Sequence, residues 1–514
     1  MPNYLAPGVY VEEVSSGSKP IEGVGTAVAG FVGFAEKGPV SEPTLISNWT
    51  HYTRVFGGFT EGAYLPHSVY GYFLNGGGAA YVVRLPETAD PGQSGGAARR
   101  VAIPAASEQD GPPAFDVQAL NSAQAGQYTV AIADVAEAGE AGEDNFRLDV
   151  LRAGKVVESF DNVTVKRGPR NVATVVGKQS KLIALEQSKT GTAVAPRKDT
   201  VVSLGGNGSE PVAVTAQTYV GDAVARTGIG GFEAIDEITM VLAPDLMSAY
   251  QRGLIDMDGV RSVQLAMIAH CELMSDRVAI LDPPPGLNSQ QIKHWRGETA
   301  GYDSKFATLY WPWINTLDPM TGRPISLPPS GHVAGIWGRS DETRGVHKAP
   351  ANEVVRGVVS LETMISRGEQ EQLNPNGINC IRAFPGQGIR VWGARTLSSD
   401  QEWRYINVRR LFNFIEESIL NGTNWVVFEP NDEYLWASVR RVVGAFLQRI
   451  WRSGALMGRA ASDAYYVKCD EENNPPESRD AGNLIIEIGV APVKPAEFVV
   501  FRIAQMPQGP ALEE

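Results

Sequence analysis

Nine of the ten tryptophans of this 514-residue chain lie between Trp295 and Trp451, and none lies between Thr88 and Gly230. Large aromatic side chains carry much of the area a core can bury, so a chain that partitions them this way builds at least two cores of different kind. The length fits three or four domains at about 150 residues each. From Thr88 to Gly230 the only aromatic residues are Phe115, Tyr128, Phe146, Phe160 and Tyr219, in short alternating runs such as Gln127-Tyr128-Thr129-Val130-Ala131-Ile132. Alternation with a period of two marks half-buried strands. Residues 88–230 are therefore expected to form an inserted, mostly β, outward-facing domain with a modest core.

The flanking chain reads differently. Residues 1–20 are an arm in which the β-prone run Val9-Tyr10-Val11-Glu12-Glu13-Val14 stands between Pro7-Gly8 and the flexible Ser15-Ser16-Gly17-Ser18. A terminal strand with no neighbour must pair with its own sheet or with the sheet edge of another molecule. Residues 21–87 and 231–350 alternate strand and helix, which predicts a middle α/β domain. Strands are expected near Val24–Phe34, Ala79–Leu85, Ile235–Leu242 and Val278–Leu281. A helix over Pro66–Leu74 should stop at Asn75-Gly76, with further helical periodicity from Met247 to Met274.

Residues 351–514 predict a C-terminal domain. Ile378–Phe384 and Ile389–Leu397 read as a hairpin around Pro385-Gly386-Gln387-Gly388. Ser399-Asp400-Gln401-Glu402 reads as a capping box opening a helix to about Leu420, and Trp425–Phe428 as a strand. Asn431-Asp432 should cap a second helix to Trp451, with Leu435, Val439, Val442, Phe446 and Ile450 as its apolar stripe. Strands near Tyr465–Val467, Leu484–Ile488 and Phe498–Ile503 follow. The fold class is thus mixed α/β and multidomain, with an excess of glycine (55) and proline (33) that favours turns over a helical bundle.

Charge and cysteine usage exclude several functions. A net charge of -13 disfavours a nucleic-acid partner, because phosphate binding needs clustered cations. Cys271, Cys380 and Cys469 are too far apart in sequence for a disulfide framework or a CxxC metal site, and fit a reducing compartment. Met1-Pro2-Asn3-Tyr4 has no basic leader. The longest stretch without Asp, Glu, Lys or Arg, Gly62–Val83, is broken by Pro66 and three glycines, so no membrane insertion is expected.

Catalytic signatures fail in turn. Gly177-Lys178 lacks the upstream glycine and following hydroxyl of a P-loop, and Gly386-Gln387-Gly388 lacks the third glycine of a dinucleotide fingerprint. His270-Cys271-Glu272 has no P-C-x-x-C to complete a zinc site, so a core or helix-surface role for His270 is simpler. A Ser330–His332–Asp341 set, assembled in space, would make the chain a cytoplasmic α/β hydrolase. The tryptophans from Trp295 to Trp337 could serve a carbohydrate-binding surface, although core packing explains them more simply. Otherwise nothing asks for an enzyme, a metal or a cofactor. Two helix faces carry cations: Arg441, Gln448 and Arg452 fall at i, i+7 and i+11 opposite the apolar stripe, and Arg404, Arg409 and Arg410 cluster on the preceding helix. Each is either a solvated face or a basic contact surface.

A resemblance adds to this reading. Ala6-Pro7-Gly8-Val9-Tyr10-Val11-Glu12-Glu13, Thr26–Gly33 and Asn75-Gly76-Gly77-Gly78 are similar to signatures of the contractile tail sheath family, which serves phage tails and phage-tail-like contractile injection systems. So are Tyr310-Trp311-Pro312-Trp313, Pro328–Gly335 and Arg344–Asn352. The C-terminal third carries the most specific match: Gly393–Leu397, Trp403–Arg410, Phe428-Glu429-Pro430-Asn431 and Gly489–Phe498. The likeness spans roughly residues 1–85 and 230–505.

The resemblance implies a structural subunit that polymerises helically with itself around an inner tube protein and contracts to drive that tube through a target envelope. Baseplate and tail-terminator or cap proteins would complete the particle, which would be assembled in the cytoplasm. It further implies that terminal strands are shared between subunits. The donors would be Val9, Tyr10, Val11, Glu12 and Val14 at one end and Phe498, Val499, Val500, Phe501 and Ile503 at the other. The C-terminal domain would face the tube, with Arg441, Gln448 and Arg452 as contacts. Both an injection-system sheath and a virion tail sheath satisfy these residues; the injection system is the preferred expectation.

Overall fold

The computed structural model describes residues 20–86, 101–106, 114–119, 128–135, 145–152, 155–166, 168–187, 195–198, 200–204 and 214–502. The arm residues Val9, Tyr10, Val11, Glu12 and Val14, and Ile503, lie outside them. The chain divides into two compact units, Met1–Leu85 with Thr215–Glu514, and Pro86–Val214.

The first unit is organised on a nine-stranded sheet. Its strands in chain order are β1 (Val28–Gly33), β2 (Thr44–Ile46), β3 (Ala79–Arg84), β4 (Met240–Leu242), β5 (Val278–Leu281), β6 (Ala307–Trp311), β7 (Glu353–Val354), β8 (Ile378–Phe384) and β9 (Gly388–Val391), and their spatial order is β7-β9-β8-β6-β5-β4-β1-β3-β2. The six inner strands, β8 to β3, run parallel, and antiparallel strands finish both edges. Parallel strands covered on both faces need continuous apolar runs, and β4, β5 and β6 are buried at every position.

Two helices meet closely beside this sheet: α1 (Leu65–Asn75) and α3 (Ser330–Arg344). A Cβ on Gly335 would stand 2.3 Å from the Tyr72 carbonyl oxygen, and one on Gly331 2.5 Å from that of Ser68. Glycine is thus what allows the two backbones to approach. Gly76 ends α1 in the left-handed region at φ 109°, as the Asn-Gly stop predicts. The periodicity from Met247 to Met274 resolves into Asp245–Gln251 and α2 (Met257–Met274), the latter capped by Asp256.

A helical layer completes the unit. α4 (Ile406–Gly422) and α5 (Glu433–Arg452) pack with a two-stranded antiparallel sheet, β10 (Tyr465–Lys468) and β11 (Glu487–Val490). Leu435, Val439, Val442 and Phe446 are buried in its core with Leu411, Leu456 and Cys469, while Ile450 packs partly exposed. Ile21, just beyond the arm, is fully buried in the same cluster.

The expected boundary at 350/351 does not divide the sheet from the rest, because β7, β8 and β9 complete the sheet begun by β1. Three local expectations also change. Ser399 gives its amide and hydroxyl to Asp303 at 2.9 and 2.6 Å instead of capping a helix, so α4 starts later, at Ile406. Trp425–Phe428 is not a strand; Asn424–Val426 is a 3-10 turn, followed by Phe428 at φ 69° with its ring fully exposed. Phe498–Arg502 forms no strand within this chain.

The second unit is mostly β. Thr200–Ser203, Tyr128–Ala133, Phe146–Arg152 and Lys155–Val163 form one antiparallel sheet, and Val101–Ile103, Phe115–Ala119 and Ile183–Gln187 another. Tyr128–Ala133 alternates buried and half-buried as its sequence predicts. Phe115 and Phe146 stack at 6.0 Å in a core otherwise made largely of Val, Ile and Leu. Residues 215–230, expected in this unit, belong to the first. Tyr219 is fully buried there, edge-on to Phe34 at 6.4 Å, so the loss of tryptophan in the sequence outruns the boundary.

Candidate assembly surface

The candidate catalytic residues all sit on α3 and do not converge. Ser330 opens the helix, fully buried, giving its amide (3.0 Å) and hydroxyl to Asp282 at the end of β5. His332 is only two residues on, and positions i and i+2 do not share a helix face. Its ring is buried against Gly71, with a pKa lowered to about 4 by burial and, secondarily, by His67. Asp341 is eleven residues from Ser330, about 16 Å along a helix at 1.5 Å per residue. Its carboxylate receives Arg410 at 2.9 Å and the Thr26 hydroxyl at 2.7 Å. The three residues hold the helix to its surroundings rather than forming a triad.

His270 is buried on α2, 3.4 Å from the Arg277 guanidinium. Its pKa falls to about 4 through burial and the Arg277 charge, so it is a neutral core group. Among the described residues no three His, Cys, Asp or Glu side chains are grouped to hold a metal ion. Trp311, Trp313 and Trp337 are fully buried and Trp295 nearly so, which rules out the carbohydrate platform. No helix among the described residues is long and apolar enough to cross a membrane.

The two arginine faces separate. On α4, Arg409 is interior, 4.5 Å over Trp403 and 4.7 Å over Phe306, and paired with Glu416 at 2.8 Å. Arg410 is equally buried, over Trp337 at 4.6 Å and bound to Asp341. A planar guanidinium can stack and pair at once, which a sequence pattern of cations does not reveal. Only Arg404 of that group is partly exposed, so neither the solvated face nor the basic contact surface forms with Arg409 and Arg410. On α5 the expectation differs: Arg441 and Arg452 are exposed and Gln448 half-buried, opposite the buried stripe.

Two features of this unit are open. β10 and β11 pair only with each other among the described residues, so neither has a strand along its outer edge. Phe498, Val499, Val500 and Phe501 are 75%, 70%, 77% and 84% exposed. Four consecutive exposed apolar residues are not a scattered surface feature but the kind of patch that interaction sites present.

Between them lies a contact that residue patterns did not reveal. The Glu497 carboxylate receives Arg395 through two bonds at 2.7 and 2.9 Å, the Tyr405 hydroxyl at 3.0 Å and the Asn374 amide at 2.6 Å. Burial alone would raise its pKa, but the bonds from Arg395 and Asn374, the Arg395 charge and the Tyr405 bond outweigh it and hold the carboxyl below its usual range. Arg395 and Glu497 each lie in a quoted motif, but 102 positions separate them, so spacing could not pair them.

The described residues show open strand edges and no converged catalytic set among the candidates. The chain's two halves of interest match, in order, the phage tail sheath protein central domain over residues 248–397 and the phage tail sheath C-terminal domain over residues 398–505, together half of the chain. The chain belongs to the phage tail sheath family, whose members are structural proteins and not enzymes. It is similar to the tail sheath protein of Vibrio phage KVP40, 30% identical over 44% of this chain but only 36% of that relative. Similarity to the tail sheath protein of Burkholderia phage BcepMu runs over 97% of this chain and 96% of that one, at 24% identity. Among solved structures, the sheath complex of an extracellular contractile injection system (PVC) in its contracted state shares the fold with a TM-score of 0.59. That likeness is 22% identical and covers 99% of each chain. The chain is thus a contractile-sheath subunit, of a kind found in both phage tails and injection systems.

Proposed function

We propose that this chain polymerises helically around an inner tube and contracts to drive the tube through a target envelope, as the sheath of a phage-tail-like contractile injection system assembled in the cytoplasm. The carrying observation is that one subunit holds both an open sheet edge, at β10–β11, and an unpaired apolar segment, Phe498–Phe501. A strand added to an open edge gains main-chain hydrogen bonds, and alternate side chains set its register. Donor and acceptor on the same chain make a head-to-tail contact, which propagates as a helical filament when it does not close. Residues Val9–Val14 would donate a second strand by the same rule. Contraction is then a rigid-body rearrangement of subunits whose strands stay paired, its free energy coming from better contacts in the contracted lattice.

The insert would lie on the outside. Arg441, Gln448 and Arg452 would face the tube, where exposed charge contacts are weak enough to hold and then release. Baseplate and cap proteins complete the particle, and no nucleic acid or membrane insertion is required. The full-length likeness to the BcepMu protein favours a second context, a virion tail sheath.

Electron microscopy of the purified subunit alone tests the reading. Hollow striated cylinders are expected; uniform small particles at high concentration would refute it. Removing residues 2–14 should abolish ordered cylinders while leaving a folded subunit. Arg441→Glu with Arg452→Glu should still give cylinders alone but no extended sheath around tube.

A further inference from the structure

The point at which the C-terminal segment leaves the body is abrupt. The Glu497 side chain is 19% exposed and the Arg395 side chain 10%, yet Phe498, the next residue, is 75% exposed. The clamp is rooted in the main sheet rather than in the helical layer that carries β10–β11. The Arg395 amide donates to Asn379 Oδ1 on β8 at 2.7 Å, and Asn379 Nδ2 donates to the Arg395 carbonyl at 2.8 Å and to Thr308 Oγ1 on β6 at 2.9 Å. Arg395 Nη1 also reaches the Asn374 carbonyl at 3.1 Å. Arg395 is therefore held on both sides before it meets the carboxylate.

We infer that Asn374, Arg395 and Tyr405 clamp Glu497 so that the donor strand starts at Phe498 with no slack, tying the sheet of one subunit at fixed length to the strand acceptor of the next. The inference rests on the shared-strand reading above. A bidentate guanidinium–carboxylate pair fixes direction as well as distance, whereas a free chain of several residues would let the spacing between neighbours wander. The clamp positions the strand and takes no part in its pairing. With it intact, rotation of the subunit body is passed to its neighbour instead of being absorbed by the tether.

The test compares Glu497→Ala, Tyr405→Phe and removal of residues 498–514 in the otherwise full chain. It reads subunit unfolding temperature, the concentration at which cylinders form, and their axial spacing. Glu497→Ala should still fold but unfold several degrees below the wild type, since it leaves the buried Arg395 without its carboxylate. Its cylinders should need about tenfold more protein, one decade of association constant, or show uneven spacing, while the truncation forms none. Wild-type cylinders from Glu497→Ala beside a truncation that forms none would overturn the clamp alone. Normal cylinders from the truncation would overturn the shared-strand reading itself. If Glu497→Ala fails to fold, Tyr405→Phe decides, with uneven spacing at wild-type stability supporting the clamp and regular cylinders refuting it.

Discussion

The nine-stranded sheet and the C-terminal segment of the same unit treat apolar residues in opposite ways. In and around the sheet, Phe31, Val82, Leu242 and Ile280 on its strands and Trp337 on α3 are buried, and even the charges brought inside are answered: Arg410 of α4 by Asp341, Arg277 by Asp276 and backbone carbonyls. Toward the C-terminus, Phe498–Phe501 are exposed, and the two-stranded sheet of the helical layer has no further strand beside it among the described residues. On the proposed reading, one region is complete as a single chain and the other would be completed by a neighbouring subunit. Stability and assembly are thereby written in separate residues, and substitutions should separate them.

The largest expected effect is inside the complete region. Asp341→Ala leaves the Arg410 guanidinium buried without its partner, which costs about 3–5 kcal/mol. Chemical unfolding should show that loss, and soluble yield should fall with it. Arg410→Met with Asp341→Leu should recover much of it, because removing both charges removes the uncompensated one. A full loss in the double variant would mean that the pair is needed for its hydrogen bond to Thr26 and its stacking on Trp337 rather than for charge balance.

A pH dependence sharpens the same contrast. Burial raises the Asp282 pKa to about 7 against bonds from Ser330 that lower it. A carboxyl raised above its unfolded value of 3.8 adds stability that is fully present below that value and is lost as pH rises through about 7. The stability of the wild type relative to Asp282→Asn should therefore shrink between pH 4 and 7, by at most about 1.4 kcal/mol per unit, and level off above. Urea unfolding of the two proteins at several pH values checks this; a difference that grows with pH would contradict it. The buried His332, lowered to about 4, works in the opposite sense in both proteins and cancels in the comparison.

The smallest effect belongs to the open region. Phe428 holds φ 69° with an exposed ring, so Phe428→Gly relieves backbone strain and removes no packing. Subunit stability should change by less than about 1 kcal/mol, since glycine's greater unfolded entropy offsets the relief. A loss of several kcal/mol would show that the ring packs against the subunit after all.

Much of this division was legible in the sequence because its causes are local. The Asn75-Gly76 stop, the Asp432 cap and stripe of α5, and the β8–β9 turn each depend on residues a few positions apart. What the sequence hid depends on distant partners. Ser399 looks like a helix cap until Asp303 takes it, Arg409 and Arg410 look like a basic surface until Trp403, Phe306 and Asp341 enclose them, and Glu497 gives no sign of Arg395. The exposed run Phe498–Phe501 was visible only as a β-prone stretch, because local sequence carries no signature of what such a stretch pairs with.

Hydrogen exchange at the backbone amides of residues 498–501 and of Tyr465–Lys468, compared between dilute subunit and assembled cylinder, tests the shared strand most directly. The amides of residues 498–501 and the outward-facing amide of Val467, unlike the β10 amides already bonded to β11 or to Ala461, should exchange at once in the subunit and become strongly protected in the cylinder, together and to a similar degree. Cylinders in which residues 498–501 exchange as fast as in the free subunit would contradict the account.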